Sequence, residues 1–265
     1  MPLDYIAGKM MVVRSLQRDL RLTTVRPSSH PLADETLPHF TFAAMVPMQV
    51  YNSLKVPCER ERLMRIRHLI IGGGAISDEL AQMIKPLPNA VWSTYGMTET
   101  LSHIALRRLN GPDASLWYTP FDGVGISLNA DGCLVIDAPE VCAEPLVTND
   151  IAQLRTDDRT GKTLFRIKGR KDNVVCSGGI KIQIEEVEET LRPHLSSPFM
   201  IVKKQDEMLG EKAILLTESA DLTHIEEICR NTLPKYWVPR EFLHIDHLPL
   251  TETGKPKRTL PLTPR

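Results

Sequence analysis

Gly72, Gly73, Gly74 and Ala75 follow a short apolar run and leave the backbone bare. Such a loop could lie against a flat ring or a phosphate, or simply turn a strand into a helix. Downstream, Tyr95, Gly96, Met97, Thr98 and Glu99 bring an aromatic ring, a hydroxyl and a carboxylate together. Those types suit stacking on a nucleotide base, a hydrogen bond to phosphate and coordination of Mg²⁺, with an ordinary loop as the alternative. Thr148, Asn149 and Asp150 put a carboxylate in a predicted loop, able to accept both hydroxyls of a ribose or to serve as a turn residue. Lys168 to Asp172 forms a charged run, either a sugar or phosphate contact with a pivot or a solvated cluster. Ser177, Gly178 and Gly179 could wrap a narrow chain or turn a hairpin, and Lys255, after Gly254, offers a cation on a polar segment. His244 and His247 flank Asp246 with a metal-like spacing, but no third ligand stands nearby and the strand pattern around them reads as structural.

These groups need a frame. Helical spacing over 10–20 is followed by proline-rich stretches at 27–38 and 47–57 that read as breaks. A buried strand over 67–71 runs into the glycine loop, Ser77 caps a helix with Asp78 and Glu79 in its first turn, and a second strand covers 90–95. Strand, loop, helix, strand predicts a parallel α/β layer, in which ligands gather at the carboxyl ends of the strands. Short runs separated by Asp131-Gly132 and Thr160-Gly161 predict antiparallel strands over 116–168. Past a charged boundary at 169–172, strands over 174–176, 199–203, 213–217 and 241–245 alternate with helices over 184–191 and 222–233. The expected fold is therefore α/β: a domain over 1–169 with a parallel layer plus antiparallel strands, then a small α+β domain over 170–265.

Composition narrows the partners. The 265 residues are 42% hydrophobic and 25% charged, an ordinary globular balance that excludes disorder as the main state. Thirty-two Lys and Arg against 33 Asp and Glu leave a net charge of −1, which argues against a general nucleic-acid binder. The 5 cysteines form no CxxC pair, so neither a disulfide framework nor a zinc site is expected and a reducing cytoplasm is the simplest home. No run approaches the ~18 apolar residues of a membrane span. The first residues do not have the layout of a signal peptide and read as though they enter mid-domain.

The joint order of GGGA, YGMTE, TND, GRKD, SGGIKI and a late GK resembles the adenylate-forming superfamily of acyl- and aryl-CoA ligases, luciferases and peptide-synthetase adenylation domains. PLDYIAGKMMVVR and YGMTETLSHIALR look most like the o-succinylbenzoate–CoA ligases of menaquinone synthesis. The resemblance implies ATP, Mg²⁺ and coenzyme A as cofactors and a small carboxylic acid as partner, leaving oligomeric state open. It implies that Gly72, Gly73, Gly74 and Ala75 line adenine, with Tyr95 stacked on it beside Gly96. Thr98 would hold phosphate, Glu99 the metal, and Asp150 with Arg170 the ribose. Asp172 would be the hinge of a mobile C-terminal domain, Ser177, Gly178 and Gly179 would border the pantetheine path, and Lys255 would be the adenylation lysine. Tyr5, Gly8, Ser102 and His103 would line the acid pocket.

The family's Ser/Thr/Gly-rich phosphate loop is expected upstream of the PLDYIAGK segment, so the chain reads as a partial large domain followed by the C-terminal domain. Asn149 stands where the family usually has glycine, and Ile180 replaces a commonly polar residue. Two other functions stay open at this point: a ligase for a different aryl or acyl acid, and an inactive fragment that only binds nucleotide, CoA or another chain.

Overall fold

The computed structural model describes residues 3–250, 256–258 and 260. Its first helix, α1 (Ile6–Gln17), starts earlier than the spacing predicts, because the extended Tyr5 turns its carbonyl onto the amides of Gly8 and Lys9. It stops at a left-handed Asp19 (φ 48°), where the Leu20 amide reaches back 2.8 Å to the Ser15 carbonyl. Strand β1 (Phe42–Met45) leads into α2 (Pro47–Lys55) and α3 (Pro57–Met64). Two of the prolines read as breaks, Pro47 and Pro57, are helix starts: the first turn needs no proline amide, and a φ near −65° suits it.

Strand β2 (His68–Ile71), helix α4 (Asp78–Ile84) and strand β3 (Ala90–Gly96) follow as expected, with the Ser77 hydroxyl accepting from the Leu80 amide at 3.2 Å. β1, β2 and β3 pair in parallel, Leu69 lying beside Val91 and Ile71 beside Ser93. β4 (His103–Arg108) returns antiparallel along β3, and β5 (Thr119–Pro120) closes the sheet order β1-β2-β3-β4-β5. Val50, Leu54, Leu63, Leu69, Ile71, Leu80, Ile84 and Val91 form one buried cluster binding the helices to this sheet. Each such side chain contributes about 1.5–3 kcal/mol on burial.

A four-stranded sheet follows, in the order β6 (Gly125–Leu128), β7 (Cys133–Asp137), β8 (Leu146–Thr156), β9 (Thr163–Arg170). Here the loop expected at Thr148, Asn149 and Asp150 is corrected: all three lie inside the 11-residue β8. Asn-Asp is a turn signal in isolation, but β8 is flanked by strands on both sides, and sheet pairing overrides local propensity.

Chain contacts divide the molecule into two units, the second gathering residues 130–134, 149–153 and 167–265. After a 3₁₀ turn at Lys171–Asn173, that unit contains β10 (Val174–Ser177), β11 (Ile180–Gln183), α5 (Ile184–Leu191), β12 (Phe199–Asp206), β13 (Gly210–Thr217), α6 (Leu222–Thr232) and β14 (Glu241–His244). Its sheet runs β11-β10-β13-β12, with β14 parallel to β13. One face, through Ile201, Ala213 and Leu215, meets Ile184, Val187 and Leu191 of α5 and Ile225 and Cys229 of α6. Met200, Val202, Ile214 and Leu216 form a second cluster, against which Ile245, Leu248 and Leu260 pack. Burial on both faces explains why β13 reads as an almost unbroken apolar run.

The β12 edge is finished by side chains. Glu188 on α5, almost fully buried, accepts the Ile201 amide at 2.7 Å, while Arg258 donates to the Ile201 carbonyl at 2.8 Å and pairs with Glu188. Ile201 faces Leu215 in the ladder, and this ion pair takes up backbone groups that would otherwise form an open sheet edge. His244 Nδ1 stands 3.1 Å from the Ser219 carbonyl. Among the described residues no group of three potential ligands could hold a metal, and no helix is long and apolar enough to cross a membrane.

Arg258→Ala leaves the Glu188 charge buried without its counter-ion, and should destabilise the second unit by about 3–5 kcal/mol in urea unfolding. The double variant Glu188→Leu/Arg258→Met should lose clearly less. Equal losses would show that the unpaired charge is not the cause.

Candidate adenylate site

In the first unit the glycine loop and the Tyr95 to Glu99 segment leave the carboxyl ends of two adjacent parallel strands, β2 and β3. The Gly72 amide continues the sheet onto the Met45 carbonyl at 3.2 Å, and any side chain at Gly72 would run into the Thr94 hydroxyl. Gly73 sits at φ 80°, a conformation open to glycine, and Gly73, Gly74 and Ala75 are exposed. The loop is both a tight turn and a bare surface, so the two readings of the triple glycine are compatible.

The half-buried Tyr95 ring meets Phe165 edge-on at 5.0 Å and Tyr118 at 5.8 Å. Tyr118 stacks on Phe165 at 5.3 Å and its hydroxyl lies 2.7 Å from Ser93 Oγ. The sequence reading of Tyr95 did not include these partners, because Tyr118 and Phe165 are remote from it in the chain. Beyond Tyr95 the strand register shifts, and Gly96 passes so close to the Ser102 carbonyl that no side chain fits there. Thr98 and Glu99 are exposed. A single exposed carboxylate fits Mg²⁺, which keeps several waters and uses one or two protein carboxylates plus substrate phosphates.

Tyr5 is the exposed residue before α1 and Gly8 is buried within it. Further along the same helix comes a residue absent from the sequence reading, Arg14. Its Nη2 donates to Ser102 Oγ at 2.7 Å and lies 3.2 Å from His103 Nδ1. A guanidinium has no acceptor, so Nδ1 is the unprotonated nitrogen and the ring proton is on Nε2. Burial, then the Arg14 charge, pushes the His103 pKa down to about 4. Burial also lowers that of Arg14, and among the described residues no carboxylate pairs with it. The available signal was an arginine in an apolar helix, IAGKMMVVRSLQ, that contains no acidic residue.

The remaining expected residues lie in the second unit. Arg170 at the end of β9 donates to Asp172 at 2.9 Å and to Asp150 at 3.4 Å, and Asn149 reaches Asp172 at 3.4 Å. The Asp172 hydrogen bond, then its charge and that of Asp150, raise the Arg170 pKa against the effect of burial. Lys171 and Asp131 pair at 2.7 Å, which raises the lysine and lowers the aspartate. Ser177, Gly178 and Gly179 make the β10–β11 hairpin turn, with φ 57° at Gly178 and 84° at Gly179, as a tight turn of this hand requires. The Gly178 amide donates to the Leu209 carbonyl at 2.8 Å, joining this turn to the β12–β13 connection. Lys255 lies outside the described residues.

No family model matches the chain. It is 28% identical over 257 residues to the 2-succinylbenzoate–CoA ligase of Salmonella typhimurium, covering 92% of this chain and 54% of that protein. The chain thus spans about half the length of the curated relatives it matches. The o-succinylbenzoate CoA synthetase of Bacillus subtilis, solved with its acyl-adenylate intermediate, superposes with a TM-score of 0.76 at 21% identity, over 97% of this chain and 58% of that one. An AMP-forming acyl-CoA synthetase/AMP-acid ligase II-like protein from Dyadobacter fermentans is 33% identical, with a TM-score of 0.59 over 96% of this chain and 73% of that one. On that identity and coverage, the chain belongs to the AMP-forming acyl-CoA synthetases, the adenylate-forming enzymes that its motif order resembles.

Proposed function

We propose that the chain carries the adenylate-handling residues of an ATP-dependent acid–CoA ligase, and that its acid is o-succinylbenzoate, made into the CoA thioester for menaquinone synthesis. The observation that carries the choice of acid is Arg14, a half-buried cation between Ser102 and a neutral His103, with no carboxylate partner among the described residues. o-Succinylbenzoate has two carboxylates: one reacts, and the other needs a cation that is not already neutralised. A charge pair at 4 Å is worth about 4 kcal/mol at an effective dielectric near 20. The names of the curated relatives support the same acid.

In the first half-reaction an acid oxygen attacks the α-phosphorus of ATP, forming acyl-adenylate and releasing pyrophosphate. Gly72, Gly73, Gly74 and Ala75 give adenine a flat backbone surface, and the aromatic pair behind Tyr95 fixes the ring that stacks on it. Thr98 donates to phosphate, and Asp150, oriented by Arg170, accepts the ribose hydroxyls. Glu99 is the residue that would hold Mg²⁺, which supplies positive charge to the phosphates when bound. Lys255 adds the cation that neutralises charge developing at the α-phosphate. In the second half-reaction the CoA thiolate attacks the acyl carbon and AMP leaves. Asp172 is the pivot that brings Ser177, Gly178 and Gly179 to border the pantetheine in this step, so a lysine needed only for adenylation is free to depart.

Calorimetric titration with nonhydrolysable acyl-adenylate analogues tests the acid. The o-succinylbenzoyl analogue should bind more tightly than one lacking the second carboxylate. Arg14→Met should erase that preference, a loss of roughly 10–100-fold for a charge-assisted hydrogen bond. Equal binding of both analogues points to another acid. Binding by the chain without pyrophosphate release in the presence of ATP and acid marks a nucleotide-binding protein alone. For Lys255→Ala, adenylation should collapse while thioester formation from preformed adenylate is largely kept; equal loss in both steps assigns the lysine elsewhere.

His103 gives the pH dependence. Its folded pKa of about 4 lies below the free value of 6.5, so between these the unfolded chain binds a proton that the folded chain does not. The contribution of this site is complete above pH 6.5 and is lost as pH falls towards 4. The imidazole C2–H resonance should therefore stay at its neutral position down to about pH 5, and Arg14→Met should move the midpoint upward. A midpoint near the ordinary histidine value would show that the ring is neither buried nor beside the guanidinium.

A further inference from the structure

The loop between β3 and β4 is tied by a residue to which no role has been given, Thr100. Its side chain is 1% exposed, and its hydroxyl accepts the Met97 amide at 3.0 Å. The same oxygen lies 2.7 Å from the Ser102 carbonyl and 3.0 Å from the Met97 carbonyl. A threonine hydroxyl has one proton and two lone pairs, so it accepts from Met97 and donates chiefly to Ser102, the nearer oxygen. Two backbone bonds complete the turn, from the Leu101 amide to the Thr98 carbonyl at 3.0 Å and from the Ser102 amide to the Thr100 carbonyl at 2.6 Å.

The turn forces Leu101 into the left-handed region at φ 58°. That conformation is unfavourable for a residue with a β-carbon, and it persists only where the surroundings over-determine it. Leu101 gains no burial in return, since its side chain is half exposed. What the strain accomplishes is a sharp reversal. Thr98 and Glu99 stand on one limb, and Ser102 and His103, against Arg14, stand on the other.

We propose that Thr100 is a positioning residue that sets the spacing between the phosphate side and the acid side of the adenylation site, holding Leu101 in its strained conformation to do so. The inference rests on the acid–CoA ligase reading given above. Thr100 touches neither substrate; it acts through the Met97 amide and the Ser102 carbonyl.

Three variants test it: Thr100→Val, which keeps shape and removes the hydroxyl; Thr100→Ser, which keeps the hydroxyl; and Thr100→Val/Leu101→Gly, which adds a residue at ease at positive φ. Two readouts are taken: affinity for a nonhydrolysable o-succinylbenzoyl-adenylate analogue, and amide hydrogen exchange at Met97 and Leu101. Thr100→Val should weaken the analogue roughly tenfold or more and speed Met97 exchange by a similar factor, as loss of a buried hydrogen bond predicts. Thr100→Ser should stay within about threefold of the parent, a small cost for keeping the hydroxyl. Adding Leu101→Gly to Thr100→Val should recover part of the affinity. Unchanged affinity in Thr100→Val, or equal losses in the Ser and Val variants, overturns the proposal. A parent chain that binds no analogue overturns the ligase reading instead, and Met97 exchange that is slow in the parent and fast only without the hydroxyl still upholds the tie.

Discussion

The parallel pairing of β2 with β3 is the constraint on which the first unit depends. Leu69 beside Val91 and Ile71 beside Ser93 fix the register, and parallel direction puts both carboxyl ends at the same edge. The glycine loop and the Tyr95 to Glu99 segment must then emerge side by side, whatever their own conformations. A one-residue slip would turn Leu69, Ile71 and Val91 away from the helices they pack on, so the core that stabilises the sheet also fixes where the loops begin. The close pass of Gly96 against Ser102 extends that control to β4. Residues remote in the chain, Tyr118 and Phe165, complete it by bracing the Tyr95 ring.

The second unit solves a different problem with the same economy. Its central strand is apolar on both faces, which leaves the outer edge of β12 to be satisfied. Glu188 and Arg258 do this from opposite ends of the unit's sequence, an ion pair serving as a substitute strand at Ile201. The polar groups at the start of the unit are organised without burial. Asp150, Arg170 and Asp172 are linked by hydrogen bonds at partly exposed positions, where ion pairs add little stability but do restrict orientation.

Much of this was readable from the chain because local rules and tertiary needs agree at those places. Ser77 before Asp78 and Glu79 is a helix start in any context, and the Ile184, Val187, Leu191 spacing gave the bounds of α5 as they stand. Reading failed where the two conflict. Pro47 and Pro57 look like breaks until each is seen to open a helix. Asn149 and Asp150 look like a turn until β8 is seen between two neighbours. Arg14 was missed for another reason: its partners are the side chains of Ser102 and His103, and no local pattern announces a contact across that distance in sequence. The motif order carries no information about a turn held by one hydroxyl at Thr100.

Three arginines show how the chain treats a charge in three ways. Arg258 is matched by Glu188, and Arg170 by Asp150 and Asp172. Their charges are cancelled nearby, and what they contribute is order. Among the described residues Arg14 has neutral partners only, the Met11 sulfur, the Ser102 hydroxyl and an imidazole whose protonation it opposes. A carboxylate placed beside it would have stabilised the fold more, and would also have removed the field. Leaving a desolvated cation unmatched costs stability, and such a cost is usually found where an anion must be bound. The neutral His103 keeps a definite tautomer beside that charge: with Nδ1 accepting from the arginine, the ring proton stays on Nε2.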